Sequence, residues 1–353
     1  MTDPRIEKIA DILLNYSTKV KKGDYVQIIS DTEAEPLIKV LYKKIMEKEA
    51  FPVLKINFPW TNYQYYKHSS DFHLENFPEI QYEEIKKTDV FMRIEAGKNV
   101  KSLSNIDPNK ISKRQKTTEK ITKERLKKRW VVFDYPSDAL AQEAEMSTEE
   151  FEDFVFNSCL FDWNEKSKDL DKAMNALENG KEVHIIADNT DIKFSIEERK
   201  FIKGDGTFNM PDGEIFTAPK EDSVNGFIEF SFPAIYSGKE VYGIKLEFKD
   251  GIIINSSASK NEDLLKAIID TDEGSKKLGE FGIGLNPGIT KPIKNILFDE
   301  KMDKTIHLAI GSAYEECLGT NQSAIHWDMI KDMSKDSKMI LDGKVIYENG
   351  SFI

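Results

Sequence analysis

The sequence predicts two domains, an α/β domain built on a mainly parallel sheet and a following α+β domain rich in strands. The chain has 353 residues, and single domains usually hold about 100–200 residues. Strands and helices alternate in the first half, whereas closely spaced strands with tight turns fill the second half. We place the boundary near Gly180, which gives domains 1–180 and 181–353.

The first half alternates between helices and strands. A helix is predicted from Pro4 to Lys19, because proline suits a first helical turn and the apolar residues recur at helical spacing. Further elements are predicted as strands at 24–30, 52–58, 88–94 and 129–134 and as a helix at 35–48. The segment 107–128 carries nine lysines and arginines without interleaved aromatic residues. This pattern favours a solvated helix face over a nucleic-acid-binding patch.

The second half begins after two more helices. One is predicted to start at the capping-box pattern Ser147–Glu150, and the other covers 164–177 and ends at Asn179-Gly180. Lys249-Asp250-Gly251 is a strong hairpin signal. The remaining predicted elements are strands at 182–187, 191–195, 226–231, 241–248, 251–255, 305–310 and 324–330, a helix at 262–270, and a hairpin within 339–353.

Charge and composition exclude several classes of function. The chain has 50 Lys and Arg against 62 Asp and Glu, a net charge of −12, which argues against nucleic acid or an anionic membrane as the main partner. No stretch approaches the ~20 apolar residues of a membrane span, and the N-terminal helix does not resemble a signal peptide. Two cysteines, Cys159 and Cys317, provide no disulfide framework. We therefore expect a soluble, cytoplasmic protein.

Two of the five histidines stand in segments suited to a metal site. In a strand, His326 and Asp328 lie on the same face, and an imidazole beside a carboxylate suits a divalent metal with nitrogen and oxygen ligands. His307 lies in a second apolar segment between the small residues Thr305 and Ala309. The other histidines, His68, His73 and His184, are predicted to take no part in metal binding.

Two glutamates and a tyrosine complete the candidate residues. Glu214 stands at a turn-to-strand junction within 210–219. Glu280 stands among glycines in 278–284, where the backbone can approach a ligand closely, although such a position also fits a surface turn. Tyr314 follows His307 by seven residues, and its phenol is suited to hydrogen-bond an oxyanion.

An ordered set of motifs then resembles a known family. The motifs are GEIFTAP at 213–219, LGEFGIG at 278–284, FDEK at 298–301 followed by HLAIGSAY at 307–314, and NQSAIHWD at 321–328. Together they are similar to the aminopeptidase T and aminopeptidase S group, the M29 metallopeptidases. Residues 106–110 and 136–147 also fit that family, so the resemblance covers nearly the whole chain.

The resemblance implies a homodimeric, two-metal peptidase that removes N-terminal residues from short peptides. It assigns metal binding to Glu214, Glu280, His307, His326 and Asp328, with catalytic roles for Glu280 and Tyr314. Which glutamate bridges the metals or acts as general base stays open. The spacer after 298–301 is longer than is usual in the family, so Glu300, Asp299 or neither reaches a metal. Without cysteine ligands, Zn, Co, Mn and Mg all remain plausible.

Three other functions deserve comparison with this one. A dinucleotide-binding oxidoreductase needs a glycine-rich turn after the first strand, but residues 31–36 contain no glycine. A hydrolase of another amide would use the same metals. A non-enzymatic binding module would use an exposed aromatic cluster, formed by Phe58, Trp60, Tyr63, Tyr65, Tyr66 and Phe72.

Overall fold

A computed structural model describes residues 3–353, which form two compact units. The first unit contains the chain up to Leu160 together with Gly206–Pro211, and the second contains Phe161–Asp205 and Asp212–Ile353. The boundary that we predicted near residue 180 therefore lies inside the second unit. The reason is that the helix at 163–177 contributes buried apolar residues to the core of that unit.

The helices and strands of residues 3–353 have the following bounds. The helices are α1 (Pro4–Asp11, continued by a π-helical turn Ile12–Ser17), α2 (Glu35–Glu47), α3 (Thr61–His68), α4 (Asp71–Glu75), α5 (Glu79–Lys87), α6 (Pro108–Leu126), α7 (Asp138–Glu143), α8 (Thr148–Cys159), α9 (Trp163–Leu177), α10 (Glu262–Ile269) and α11 (Ile296–Asp299). The strands are β1 (Tyr25–Asp31), β2 (Phe51–Asn57), β3 (Val90–Glu95), β4 (Arg129–Asp134), β5 (Glu182–Ala187), β6 (Thr190–Ser195), β7 (Ile202–Gly204), β8 (Asn209–Met210), β9 (Glu214–Thr217), β10 (Asn225–Glu229), β11 (Ala234–Tyr236), β12 (Lys239–Val241), β13 (Lys245–Lys249), β14 (Ile252–Ser257), β15 (Leu278–Gly284), β16 (Thr305–Gly311), β17 (His326–Asp332), β18 (Lys338–Leu341), β19 (Lys344–Glu348) and β20 (Ser351–Phe352).

The first unit contains the predicted parallel sheet. Its five strands run in the order β2-β1-β3-β4-β8, and every pairing is parallel. The last strand, β8, comes from the segment that returns to this unit after β7. Helix α6 buries none of its residues, as expected for a solvated basic helix. No helix within residues 3–353 has both the length and the apolar character that crossing a membrane requires.

The aromatic segment 63–77, which contains His68 and His73 and which the sequence predicts to be loop-like, is mostly helical. It forms most of α3 and all of α4, and α4 begins with a capping box between Ser70 and His73. Helix α3 buries none of its residues, so its sequence lacks the apolar repeat that reveals a helix. In the aromatic cluster of residues 58–72 that the sequence analysis defined, the side chains of Phe58, Trp60 and Phe72 are exposed.

The second unit consists mainly of two packed sheets. An eight-stranded sheet has the order β14-β13-β10-β6-β5-β18-β19-β20, and a five-stranded antiparallel sheet has the order β17-β16-β15-β9-β7. Apolar residues from both sheets form one buried core. Phe194 of β6 and Phe281 of β15 meet there with ring centroids 5.0 Å apart. The strand-rich character of the second half was predicted correctly.

The strand that we predicted at 241–248 is interrupted. Strand β12 ends at Val241 and β13 begins at Lys245. Between them Gly243 has a φ of +60°, a left-handed conformation that glycine adopts without steric cost. The turn allows β12 to pair with β11 while β13 joins the eight-stranded sheet.

Truncating the core between the two sheets should destabilise the second unit. Ile283 of β15 is fully buried, whereas Ile254 of β14 is 56% exposed. We expect Ile283→Ala to lower the free energy of unfolding by about 2–5 kcal/mol, because it leaves a cavity. The matched variant Ile254→Ala should lower it by about 1 kcal/mol or less. Equal shifts of the urea unfolding midpoint in the two variants would contradict this location of the core.

Candidate metal centre

One face of the five-stranded sheet carries the polar residues, and the other face carries the core. Alternate residues of a strand point to opposite faces. The register pairs Glu280 of β15 with Ala309 of β16, and Ala309 in turn with Asp328 of β17. Their chain neighbours Phe281 and Leu308 belong to the apolar core. The polar face is therefore built by strand alternation over three adjacent strands.

The sequence-predicted residues occupy four of these strands. Glu214 is the first residue of β9, as predicted from its turn-to-strand position, and it pairs with Gly284. Glu280 lies in β15, where all seven residues are buried, so the alternative of a surface turn is excluded. His307 is in β16, and the pair His326 and Asp328 is in β17.

The side chains form two groups that share Glu280. The first contains Glu214, Glu280 and His307, and the second contains Glu280, His326 and Asp328. One potential ligand atom from each member lies within 4.8 Å of the others in its group. Such a spacing of nitrogen and oxygen atoms fits a divalent cation.

The two oxygens of Glu280 face different histidines. Oε1 lies 3.2 Å from Nε2 of His307, and Oε2 lies 3.2 Å from Nε2 of His326. Each histidine also contacts a second carboxylate. Glu214 Oε2 is 3.4 Å from His307 Nε2, and Asp328 Oδ2 is 3.5 Å from His326 Nε2. The central carboxylate thus connects the two groups.

The burial of unpartnered polar atoms supports the fit of a cation. Within residues 3–353, the carboxylate oxygens Glu214 Oε2 and Asp328 Oδ1 are buried and lack a hydrogen-bond partner. A buried polar atom without a partner is costly and usually has a functional reason. The donor set of carboxylates and imidazoles matches the oxygen and nitrogen ligands that divalent ions accept.

The electrostatics of the protein without cations favour protonated histidines. Burial lowers the pKa of both imidazoles, but the carboxylates outweigh it and raise the pKa of His307 to about 9 and that of His326 to about 12. Burial raises the pKa of Glu280 and Asp328, yet the adjacent histidines leave both below their ordinary range. Burial raises the pKa of Glu214 to about 8. The cluster therefore needs positive charge.

Lys301 is a site residue that the sequence analysis did not single out, although it ends the quoted FDEK motif. Its side chain is fully buried, with Nζ 3.4 Å from Glu214 Oε1 and in direct contact with Glu300. Burial lowers its pKa, but the carboxylates of Glu214 and Glu300 raise it above the ordinary lysine range. Lys301 thus places a positive charge beside Glu214 of the first ligand group and beside Glu300. In the sequence, its position directly after the acidic pair Asp299-Glu300 could have indicated this role.

Gly282 explains the glycine pattern around Glu280. It pairs with His307 across β15 and β16. A Cβ at this position would lie 2.0 Å from His307 Nε2, a distance that real atoms cannot adopt. The absence of a side chain on Gly282 therefore provides the space that the imidazole ring occupies.

The orientation of His326 is fixed by the segment that follows β16. Its Nδ1 lies 2.7 Å from the carbonyl oxygen of Ser312, to which it can donate, which directs Nε2 towards the carboxylates. The side-chain amide of Asn321 donates to the carbonyl oxygens of Gly274 and Gly311 at 2.8 and 2.6 Å. The bond to Gly311 connects the end of the segment 312–321 to the residue that precedes it.

Tyr314 lies in this segment, beyond the end of β16 as predicted. Its ring centroid is 5.0 Å from that of His326. The side chain as a whole is 46% exposed, but desolvation around its hydroxyl and the nearby carboxylates of Glu280 and Asp328 raise the pKa of the phenol above its ordinary range. The hydroxyl therefore keeps its proton and is suited to donate a hydrogen bond.

A further ion pair, which the sequence analysis missed, holds the same segment. Arg199 donates to the carbonyl oxygen of Leu318 and pairs with Glu221 at 2.5 Å. Glu221 in turn accepts from the backbone and hydroxyl of Thr320 at 2.8 Å each. These residues are distant from the segment in sequence, so no motif revealed them.

The remaining candidates lie outside the two groups. The carboxylate of Asp299 accepts from the backbone N–H groups of Ile293 and Asn295 at 2.7 and 3.1 Å, and Glu300 contacts Lys301. His184 pairs with Asp191 at 2.8 Å on β5 and β6. His68 and His73 belong to α3 and α4 of the first unit.

Comparisons with known proteins agree with the resemblance of the motifs. A family model described as thermophilic metalloprotease (M29) matches residues 2–352. The chain is 26% identical to aminopeptidase AmpS of Bacillus subtilis, covering 99% of this chain and 98% of that protein. It is 34% identical to aminopeptidase T of Thermus thermophilus over a match that covers 40% of this chain and 37% of that protein.

The fold is also found among solved structures. Wild-type AmpT from Thermus thermophilus has a TM-score of 0.88 to this chain at 22% identity, and the match covers 99% of both chains. At that identity the likeness shows the fold alone. The family model, in contrast, spans nearly the whole chain. The sequence-based recognition is therefore confirmed, and the chain belongs to the M29 family of metalloproteases.

Proposed function

We propose that this metallo-aminopeptidase holds two divalent cations and releases N-terminal residues from short peptides. The observation that carries the proposal is the position of Glu280, whose two oxygens face two histidines from different groups at 3.2 Å each. A carboxylate shared in this way is the expected bridge of a two-metal hydrolase, in which the ions lie ~3.5–4 Å apart. The names of the relatives support the aminopeptidase activity.

The proposed ligands follow from the two groups. Glu214 and His307 hold one cation, His326 and Asp328 hold the other, and Glu280 contributes to both. When bound, divalent ions make a water nucleophilic near neutral pH, polarise the scissile carbonyl and attract the free α-amine of a peptide. Zn, Co, Mn and Mg all remain candidates.

The chain's own residues complete the site. Lys301, behind Glu214 and Glu300, reduces the repulsion among the buried carboxylates. Tyr314 presents a protonated hydroxyl, which we assign as the donor that stabilises the oxyanion of the transition state. Glu280 is the residue whose loss would affect both cations. A homodimer, which rests on the family resemblance, and a cytoplasmic location, which rests on the charge and composition of the chain, are further proposals.

Hydrolysis of a chromogenic alanyl anilide tests the proposed activity. The protein loaded with a divalent metal should release the aniline, and chelation should abolish the activity because both cations leave. The N-acetylated substrate should not react, since it lacks the free amine. Cleavage of the acetylated substrate at a similar rate would instead indicate another kind of amide hydrolase.

Elemental analysis of two aspartate variants controls for the ligand set. Asp328→Asn should retain fewer metal ions than the wild type. Asp332→Asn, on the same strand β17 but outside both groups, should retain the wild-type number. An unchanged metal content in Asp328→Asn would remove that residue from the ligand set.

Metal binding should release protons and strengthen as the pH rises. Without metal, His307 and His326 have pKa values of about 9 and 12, so both are protonated at pH 7.5, yet ligation requires neutral imidazoles. We expect more than one proton per protein to be released at pH 7.5, and the apparent affinity should still be increasing at pH 9, because His326 is protonated there. Calorimetry in two non-coordinating buffers of different ionisation enthalpy measures this number. His184→Gln should behave as the wild type, and the absence of proton release would exclude the two histidines as ligands.

Tyr314→Phe separates catalysis from metal binding. The variant should keep both cations and a similar KM, while kcat falls by roughly 10²–10³-fold, the usual effect of losing one oxyanion donor. Tyr347→Phe is the control, because this buried tyrosine lies in the core of the same unit. Loss of a metal from Tyr314→Phe would make the phenol a ligand, and an unchanged kcat would leave it a structural role.

A further inference from the structure

A cavity of about 160 Å³ lies against the candidate metal centre. His326 and Asp328 form part of its wall, so it opens on the second of the two ligand groups. The rest of the wall comes from the start of β11, the segment 294–299 and strand β17. All of these elements belong to the second unit.

Eight of the thirteen residues that line the cavity are apolar. These are Pro233, Ala234, Ile235, Tyr236, Ile296, Trp327, Met329 and Ile330. The charged members away from the ligand groups already have partners in the protein. Lys294 Nζ lies 3.0 Å from Glu240, and the carboxylate of Asp299 accepts two backbone N–H groups. An acidic group entering this cavity would therefore lose hydration without gaining a free cationic partner.

The cavity is also preformed. The indole Nε1 of Trp327 donates to the carbonyl oxygen of Ile235 at 3.0 Å, and the rings of Tyr236 and Trp327 meet edge to face with centroids 5.7 Å apart. The ion pair between Lys294 and Glu240 connects the segment 294–299 to β12. Two walls of the cavity are thus fixed to β17 and to each other without a ligand.

Peptide chemistry indicates what enters such a cavity. In the N-terminal residue of a peptide, Cα is one bond of about 1.5 Å from the amine nitrogen and one from the scissile carbonyl carbon. An aminopeptidase brings both groups to its metal site. The first side chain therefore begins beside the ligands, which is where this cavity opens.

We propose that this cavity binds the side chain of the N-terminal substrate residue and selects apolar side chains of medium size. The assignment rests on the proposed aminopeptidase function. Apolar cavities of ~150 Å³ accept a molecule as large as benzene, so the side chains of Leu, Ile, Met and Phe fit. The indole of Trp is larger than any of these side chains, and the carboxylates of Asp and Glu lack a free cationic partner in the cavity.

Ile296 offers the sharpest test, because it lines the cavity and is 47% exposed. Ile296→Phe fills the cavity and should lower the ratio of kcat/KM for leucyl over alanyl anilide by about tenfold or more, as expected for lost methylene contacts. Ile296→Ala enlarges the cavity and should raise kcat/KM for tryptophanyl anilide relative to leucyl anilide. Ile254→Phe, at an exposed position outside the cavity, should leave both ratios at their wild-type values.

Equilibrium binding provides a readout besides activity. Calorimetry should find that L-leucine binds the metal-loaded wild type more tightly than L-alanine, and that Ile296→Phe reduces this difference. Hydrolysis with unchanged substrate ratios in both Ile296 variants would overturn the pocket assignment alone. A metal-loaded protein that hydrolyses none of the aminoacyl anilides would overturn the proposed function, and the pocket assignment with it.

Discussion

The burial of three carboxylates on one sheet face is the constraint on which the rest of the site depends. Glu214, Glu280 and Asp328 are each less than a tenth exposed, and buried charges are stable only when they are paired. Two imidazoles lie between them within 3.5 Å, and Lys301 supports Glu214 from behind. The raised pKa values of the two histidines express the same demand for positive charge. Protons satisfy it in the absence of cations, and divalent ions are suited to replace them.

The same sheet performs two tasks because its strands alternate. On the back face, residues such as Phe281 and Leu308 bury their side chains against the eight-stranded sheet. On the front face, small residues at Gly282, Ala309 and Gly311 leave space between the ligands. A slip of one residue in register would move every ligand into the apolar core. Apolar packing on one face therefore holds the ligand geometry on the other.

The sequence predicted the elements of the fold better than their long-range arrangement. Strands β4 and β5 have the predicted bounds, since hydrophobic periodicity is a local signal. The segment of α3 and α4 lacked that signal because α3 buries none of its residues. The interruption of the strand at 241–248 depends on one glycine conformation and on which partner strand each half selects.

In the candidate site, too, the sequence predicted the residues better than their long-range arrangement. The motifs identified Glu214, Glu280, His307, His326 and Asp328, and the fold brings all five together. The position of Glu280 between the two histidines follows from strand order and register, which one sequence does not specify. The residues that hold the segment of Tyr314 in place were also not predicted from the sequence. Arg199 and Glu221 act on the segment of Tyr314 across more than 90 residues of sequence, and a contact over such a separation leaves no local pattern.

Strand β17 joins the ligand set to the proposed side-chain cavity. His326 and Asp328 face the metal centre, while Trp327 between them points to the opposite face and holds Ile235 by its indole N–H. A strand residue and its neighbours are fixed relative to one another by the pleat. The wall of the cavity and the ligands therefore move as one body. An aminopeptidase benefits from this arrangement, because a side chain that seats correctly in the cavity also brings its own amine and carbonyl to the ligands.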